Sequence, residues 1–266
     1  MEVPWIDNLH EYPALTVGLT IFTFLLLLID SSYGFILSQK FSLYPDAIIN
    51  FDLNRLSFYL LFHTGLFHYI LNIISLIPLL YTFEKKNGTI FTGITLNILT
   101  VIAGLQYSLV GHWLYPQEHI VGLSGIVFSF ASYYAYKEHF HYPILYTFKI
   151  STFTIEIPTI LSPFIYLVLV SIMFSNSSFF GHLFAISAGF LLGLGYINFM
   201  YPPHKVIQYI ETKLARPLSK LNKIVKWCYE EDSLDARVKG YRPLFGLDLE
   251  QPLVGTYPAE NVLGTN

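Results

Sequence analysis

The chain has 266 residues, of which 53% are hydrophobic, 17% aromatic and only 12% charged, and its mean hydropathy is +0.50. A soluble domain of this length carries about 25% charged residues, so this composition excludes a nucleic-acid-binding protein, a disordered chain and an ordinary cytosolic enzyme. The net charge of −3 favours no charged partner. A single cysteine excludes an internal disulfide and a cysteine-rich metal centre. We therefore predict a polytopic membrane protein without a metal or cofactor.

Six apolar segments are candidate membrane helices, for which about 17–25 residues are needed. They comprise residues 14–37, 56–83, 90–110, 120–136, 159–174 and 179–201. The fourth and fifth are short, which favours buried or tilted helices. Asp30, near the end of the first segment, is interpreted as a carboxylate that reaches the membrane interface. We expect an all-α membrane protein with a six-helix domain over residues 14–201, preceded by a short N-terminus, residues 1–13.

The distribution of lysine and arginine orients this domain in the membrane. With both termini in the cytosol, thirteen basic residues face the cytosol and only Lys40 and Arg55 face the other side. The N-terminus has no lysine or arginine, so we do not expect a cleavable signal peptide. We therefore place both termini in the cytosol.

Residues 202–266 form a tail whose composition differs from that of the helical domain. Apolar residues recur there at helical spacing among lysines and arginines, from Val206 to Trp227, with Pro217 between them. An amphipathic helix on the cytosolic membrane face and a partly ordered basic tail both fit this pattern. From Glu230 onward the tail is rich in acidic residues, glycine and proline, which predicts disorder. The tail also offers a surface for a cytosolic partner.

Several polar side chains lie within the apolar segments, where they are costly and therefore candidates for function. On a helix, His68 and Asn72 are about 40° apart and share a face, whereas His63 is about 140° from His68. The fourth segment opens with a serine between two glycines, Gly122-Leu123-Ser124-Gly125. The sixth opens with Gly181-His182 and continues with small residues.

The predicted topology brings these residues to one depth, because the second, fourth and sixth segments all enter from the lumenal side. A serine, a histidine to accept its proton, and a histidine–asparagine pair to bind an oxyanion are the groups that acyl transfer needs. Imidazole can act as the base near neutral pH. No acidic residue in the segments is placed to orient His182, so a serine hydrolase here would use a dyad.

In these motifs the sequence resembles the rhomboid intramembrane serine proteases. Their second helix reads His-x4-His-x3-Asn, their fourth carries Gly-x-Ser-Gly, and their sixth supplies a histidine. The matching residues here are His63, His68 and Asn72, then Gly122, Ser124 and Gly125, then His182. The tail and the core together resemble the fungal Golgi-type members, which implies a multi-pass protein of the Golgi membrane whose active site opens toward the lumen. The resemblance covers roughly residues 14–201.

The resemblance implies a role for each residue. Ser124 would be the nucleophile and His182 the general base, while His68 and Asn72 would line the oxyanion hole. The substrates would be transmembrane proteins, cut near the lumenal side within the lipid bilayer. We expect structural roles for the remaining residues of the pattern, which are His63, Arg55, Glu84, Gly122, Gly125 and Gly189.

One departure from the family pattern lies in the sixth helix, where Ala185 replaces the first glycine of a Gly-x-x-x-Gly stripe. We expect a slightly wider helix crossing without loss of activity. A catalytically inactive relative that binds membrane clients for trafficking or degradation is the alternative. Such relatives usually lack the serine or the histidine, and both are present here. A metalloprotease would need His-Glu-x-x-His, which the sequence lacks.

Overall fold

The computed structural model describes residues 9–150, 153–174 and 177–238. These residues are mostly helical. The helices are α1 (Ala14–Ser32), α2 (Ile36–Phe41), α3 (Arg55–Phe58), α4 (Leu66–Asn87), α5 (Thr89–Leu114), α6 (Ser124–His139), α7 (Ser162–Met173), α8 (Phe179–Gly193), α9 (His204–Lys213), α10 (Ala215–Leu221) and α11 (Glu230–Val238). The strands β1 (Ile144–Ile150) and β2 (Phe153–Pro158) form an antiparallel pair.

Helices α6 and α8 lie at the centre of the bundle, packed on each other and surrounded by α4, α5 and α7. Phe130 of α6 and Leu192 of α8 are fully buried in this core. The outer helices instead leave large apolar side chains uncovered, such as Leu25 and Leu28 of α1, each about half exposed. Exposed apolar side chains on the outside and a closed interior are typical of a helical membrane protein.

Three helices in the described part, α1, α4 and α5, are long and apolar enough to span a membrane. A fourth span results if α8 and the segment Asn198–Lys213 are counted as one bent helix, although the directions of the two segments differ by 89°. Helix α6 has 16 residues, or about 24 Å of helix, and α7 is shorter. Each predicted segment contains a helix, whereas the six spans themselves stay a prediction.

The second segment departs from its predicted helix at its start. Helix α4 begins only at Leu66, after Gly65 in an extended conformation with φ 168°. His63 therefore lies in the preceding loop, and the helical angle used to orient it against His68 does not apply. Likewise α6 begins at Ser124, so Gly122 belongs to a loop.

Asp30, predicted to reach the membrane interface, is enclosed by the protein itself, and its depth in the membrane stays a prediction. Its side chain is only 1% exposed and accepts hydrogen bonds from the backbone N–H groups of Leu37, at 2.7 Å, and Ser38, at 2.9 Å. These are free donors of the first turn of α2, which a carboxylate satisfies well. The short connection between α1 and α2 folds the second helix back onto the carboxylate, which the sequence pattern did not indicate.

The strand pair was not predicted. Phe148 of β1 faces Ile155 of β2 across the ladder, and both are about half exposed. The segment Ile144–Ile150 is rich in β-branched and aromatic residues, which favour strands. That local signal was present between the fourth and fifth segments but is hard to separate from an apolar helix by pattern alone.

The tail is more ordered than predicted. Two helices, α9 and α10, occupy the stretch where an amphipathic helix was expected, and their location on a membrane face stays a prediction. The predicted disorder is wrong for Glu230–Val238, which forms α11 and packs against α4 and α9. Residues 239–266 of the tail and residues 1–8 of the N-terminus lie outside the described residues.

The beginning of α1 and the tail meet at the end of α4. The Ala14 N–H donates to the Lys226 carbonyl at 2.8 Å, and the Lys226 N–H donates to the Tyr12 carbonyl at 2.8 Å. Next along the tail, the Cys228 carbonyl accepts from the Thr89 N–H at 2.8 Å. The tail is thus hydrogen-bonded between α1 and the turn that joins α4 to α5.

A buried ion pair forms within α11. The Arg237 guanidinium donates to Glu230, and the two side chains are only 2% and 1% exposed. The guanidinium also lies over the Phe91 ring of α5, 4.4 Å from the ring centroid. The pair neutralises a buried carboxylate, and Arg237 connects α11 to α5 through the Phe91 ring.

We expect Arg237→Ala to destabilise the protein by about 3–5 kcal/mol, because it leaves Glu230 buried without a partner. This corresponds to a fall in melting temperature of at least about 6 °C, measurable by thermal unfolding in detergent. Arg216→Ala removes an exposed arginine of α10 and should leave the melting temperature within about 1 °C. Equal melting temperatures for the two variants would contradict a stabilising role for the pair.

Candidate active site

Ser124 is the first residue of α6, and the preceding loop holds it in place. Gly122 has a φ of +114°, a conformation that residues with a side chain rarely adopt. Its N–H donates to the Tyr59 carbonyl at 3.0 Å, and the Leu123 N–H donates to His63 Nε2 at 3.4 Å. The chain therefore enters α6 through a fixed turn that leaves the serine at the helix N-terminus.

His182 lies in the first turn of α8, within hydrogen-bond distance of the serine. Its Nε2 is 2.9 Å from Ser124 Oγ. The imidazole stacks on the Phe128 ring, with centroids 4.3 Å apart and planes 27° apart, and it is only 7% exposed. Phe128 is one helical turn beyond Ser124, so the same helix supplies the serine and a supporting surface for the histidine.

The close packing of α6 and α8 sets the separation of these two residues. A Cβ at Gly189 would lie 2.0 Å from the Ser129 carbonyl oxygen, so only glycine fits there. Four residues earlier, Ala185 is fully buried, and its carbonyl accepts a hydrogen bond from the Ser129 hydroxyl at 2.8 Å. The extra methyl of Ala185 is accommodated in this seam, whereas its effect on activity stays a prediction.

His68 and Asn72 both project from the beginning of α4 toward the loop before Ser124. A Cβ at Gly122 would lie 2.8 Å from His68 Cε1, 3.0 Å from His68 Nε2 and 3.2 Å from Asn72 Nδ2. The absent side chain of Gly122 therefore leaves a space that two nitrogen atoms border. Asn72 Nδ2 is buried and makes no hydrogen bond within the described residues, so it is free to donate to a bound group.

The other nitrogen of His68 has a partner on the rim of the site. Thr64 Oγ1 lies 3.2 Å from His68 Nδ1. When the threonine hydroxyl donates to Nδ1, the neutral ring carries its proton on Nε2. Nε2–H then points at the same space as the Asn72 amide. Two donors that converge on one small volume can stabilise an oxyanion.

His63 is 1% exposed and does not border this space. Its ring makes an edge contact with His68, with centroids 5.3 Å apart, and its Nε2 accepts from the Leu123 N–H. These contacts connect the loop before α4 to the loop before α6. The supporting role of His63 stays a prediction.

Arg55 is at the start of α3 and is bonded within the loops on the same side as the site. Its guanidinium donates to the Ser42 carbonyl at 2.6 Å and to Asp52 at 3.2 Å. A hydrogen bond to Asp52 raises the pKa of Tyr44, and burial together with the charge of Arg55 lowers the pKa of His119. Arg55 therefore joins the loop between α2 and α3 into one hydrogen-bonded unit.

Glu84 lies at the opposite end of α4 from the site. Although fully buried, it accepts hydrogen bonds from the backbone N–H groups of Leu15 and Thr16, at 2.8 and 2.7 Å. The hydroxyls of Thr16 and Thr89 also donate to it, at 2.7 and 2.8 Å. Four donors satisfy this carboxylate, which joins α1, α4 and α5 and has no contact with the serine.

A cavity of about 290 Å³ opens over the serine and the histidine. Its walls come from α4, α6, α7, α8 and the loops before α4, α6 and α8. They include Thr64, Phe67, His68, Leu71, Asn72, His119, Gly122, Ser124, Phe128, Tyr166, Val170, Phe174, Ser177 and His182. The walls are mainly apolar, as expected of a site for an extended hydrophobic segment.

Three contributors to the site were missed by the sequence analysis. Phe128 could have been found, because it is four residues after Ser124 and therefore on the same helix face. Thr64 is four residues before His68, but the break at Gly65 puts it in a loop. Ser177, whose Oγ lies 3.3 Å from His182 Nδ1, gave no signal, since a serine in a short loop is common.

Sequence comparison relates the chain to known serine proteases. Residues 50–199 match the family described as the rhomboid domain. The chain is 52% identical to the rhomboid-type serine protease 2 of Debaryomyces hansenii over 95% of this chain and 88% of that protein. It is 48% identical to the Candida albicans protein of the same name, over 93% of this chain and 87% of that one. It is 33% identical to the Saccharomyces cerevisiae protein of that name, over 92% of this chain and 91% of that protein.

Gly122 and Gly125, the two glycines of the serine motif, have different surroundings, and this difference can be tested. Gly122→Ala would place a methyl group in the space between His68 and Asn72 and strain the backbone. We expect the rate at which a fluorophosphonate labels the serine to fall about 10²–10³-fold, as for loss of an oxyanion donor.

Gly125→Ala is the matched control. Its Cβ would lie 3.8 Å from Tyr59 Oη and 3.9 Å from Ala185 Cβ, which are ordinary contacts. This variant should keep labelling within about threefold of the original rate. If both alanine variants labelled equally well, the space at Gly122 would have no part in the reaction.

Proposed function

The chain belongs to the rhomboid family and is a serine endopeptidase of the membrane, and from this premise we propose that Ser124 and His182 form its catalytic dyad. The observation that carries the proposal is the 2.9 Å separation of Ser124 Oγ from His182 Nε2. A hydroxyl is a weak nucleophile unless a neighbouring base takes its proton. A neutral imidazole at this distance can do so.

The proposed reaction proceeds in two halves. Ser124 Oγ attacks the carbonyl carbon of the scissile peptide as its proton passes to His182 Nε2, and a tetrahedral oxyanion forms. The imidazolium then gives that proton to the departing amine, and the C–N bond breaks to leave an ester on Ser124. In the second half, water loses a proton to Nε2 and attacks the ester. The acid product leaves, and the proton returns to Oγ.

The oxyanion is proposed to bind in the space beside Gly122. His68 Nε2–H and the Asn72 amide border that space. The backbone N–H of Ser124 is the third proposed donor, because the first N–H groups of a helix have no partner within the helix. Donors fixed in place before the reaction stabilise the developing charge without rearrangement, and each is worth about 2.7–4 kcal/mol.

The substrates are transmembrane proteins cut within the membrane, and the proposal is that the cut lies near the lumenal side. The surplus of lysine and arginine in the tail supports a cytosolic position for both termini, and six spans over residues 14–201 fit an even number of crossings. Residues 1–13 and 202–266 are proposed to be cytosolic. The likeness to fungal Golgi-type members supports location in the Golgi membrane. A soluble partner of the tail is also proposed.

The alternative, an inactive client-binding relative, is not favoured. A protein that only binds clients has no need of a serine hydroxyl directed at an imidazole in a buried site. The unpartnered Asn72 amide is a further cost without a function in such a protein, since a buried donor without an acceptor is unfavourable.

The dyad can be tested without knowledge of the substrate by labelling the detergent-purified protein with a fluorophosphonate. We expect the original protein to be labelled, and Ser124→Ala and His182→Ala to lose labelling by at least about 10³-fold. Ser31→Ala, which removes an exposed hydroxyl of α1 bonded to the Leu28 carbonyl, is the control and should be labelled normally. Full labelling of Ser124→Ala would show that a different residue reacts.

Asn72→Ala separates the oxyanion role from the dyad. The variant lacks one donor but keeps serine and base, so it should hydrolyse a transmembrane substrate about 10²–10³-fold more slowly. Its melting temperature should stay close to that of the original protein, because Asn72 Nδ2 makes no hydrogen bond within the described residues. A turnover equal to that of the original protein would remove Asn72 from the proposed mechanism.

A further inference from the structure

The second ring nitrogen of His182 has a partner that the dyad mechanism leaves unused. A base that accepts a proton on Nε2 must carry its own proton on Nδ1. In serine hydrolases with three catalytic residues a carboxylate accepts that Nδ1–H and so fixes the tautomer and the ring orientation. The partner of Nδ1 here is the Ser177 hydroxyl, whose Oγ is 3.3 Å away.

Ser177 is held where it is by its own loop. Its backbone N–H donates to the Phe174 carbonyl at the end of α7 at 3.0 Å. The next residue, Ser178, caps α8, because its side chain accepts from the Gly181 N–H at 3.2 Å. The Ser178 carbonyl accepts from the His182 N–H at 3.2 Å. Backbone bonds on both sides of Ser177 therefore link its position to that of the histidine.

The surroundings of the imidazole restrict it to one arrangement. The Phe128 ring covers one face, and Ser124 occupies Nε2. The titratable groups that border the same cavity are Tyr59 of the loop before α4, His68 of α4, His119 of the loop before α6 and Tyr166 of α7. Glu118 contacts the loop at Ser178, whose Oγ is 3.4 Å from the carboxylate. With Nε2 accepting from Ser124, Nδ1–H is directed at Ser177 Oγ.

We propose that Ser177 is a positioning residue, which accepts the Nδ1–H of His182 and holds the imidazole in the tautomer and orientation that take the proton of Ser124. This inference rests on the proposed dyad and deepens it. Ser124, His182 and Ser177 then form a hydrogen-bonded chain, and its third member, the Ser177 hydroxyl, is uncharged. A hydroxyl holds the ring without bringing a negative charge into an apolar site, where an unpaired carboxylate would be costly.

A neutral acceptor has a smaller effect than a carboxylate would. Ser177→Ala should lower the rate constant of fluorophosphonate labelling about 3–10-fold, as expected for one uncharged hydrogen bond. Ser177→Thr keeps the hydroxyl and should restore the rate to within about twofold. Ser171→Ala, which removes a hydroxyl of α7 bonded to the Leu167 carbonyl, is the control and should label at the original rate.

Ser177→Asp distinguishes positioning from simple packing. An added carboxylate stabilises the imidazolium, so His182 would lose its proton only at higher pH. The midpoint of the acidic limb of the labelling rate should therefore rise by about one pH unit relative to the original protein. Rates are measured from pH 4 to pH 9 and expressed per folded molecule, with folding followed by thermal unfolding. These buffer limits are about 2.5 pH units on either side of the ordinary pKa of imidazole.

The outcomes separate this inference from the dyad itself. A slower Ser177→Ala, rescue by Ser177→Thr and an upward shift for Ser177→Asp together support the positioning role. If the original protein labels on Ser124 but Ser177→Ala labels equally fast, or Ser177→Asp leaves the midpoint unchanged, the role of Ser177 is wrong and the dyad stands. If the original protein labels no faster than Ser124→Ala, the dyad fails and the positioning role fails with it.

Discussion

The separation of α6 from α8 is the constraint on which the site depends. Two helices that carry the proposed nucleophile and base must hold a hydroxyl and an imidazole at 2.9 Å, although the residues are far apart in sequence. The two helices approach most closely at Gly189, where even a methyl group would collide with the Ser129 carbonyl. This contact lies more than one helical turn from the reacting atoms, and it sets the distance between the helices that carry them. Close-packed helices of this kind transmit small volume changes directly. The chemistry therefore depends on a glycine that touches no reacting group.

Much of the helical core could be predicted from the sequence, and the reasons are local. Long apolar runs and a motif with fixed spacing indicate α1, α4 and α5 and bring Ser124 and His182 to one end of the bundle. Conformation at single residues could not be predicted. Because Gly122 has a positive φ and Gly65 is extended, α6 and α4 begin later than expected and the residues before them form loops. His63 therefore lies in a loop, where it accepts a hydrogen bond from the Leu123 N–H. Tertiary packing decides such boundaries.

The ordered tail and the strand pair were missed for a different reason. The helix Glu230–Val238 is an acidic, weakly apolar stretch of sequence, and in the fold it packs against α4 and α9, with Arg237 over the Phe91 ring of α5. Ser177 was missed likewise, since its position beside His182 results from a loop and a helix cap. Sequence patterns therefore locate the side chains that react, whereas the groups that orient them come from contacts made in the fold.

The junction of the tail with α1 has a consequence for how the protein is made. Residues 12–14 are among the first of the described chain to be synthesised, yet the backbone partner that satisfies them, Lys226, follows the whole bundle. Synthesis runs from the N-terminus at about 5–20 residues per second, so the bonds of Tyr12 and Ala14 to Lys226 form only after the helices of the bundle have been made. A nascent chain interrupted after α8 would therefore carry Ser124 and His182 while the start of α1 still lacked its backbone partner in the tail.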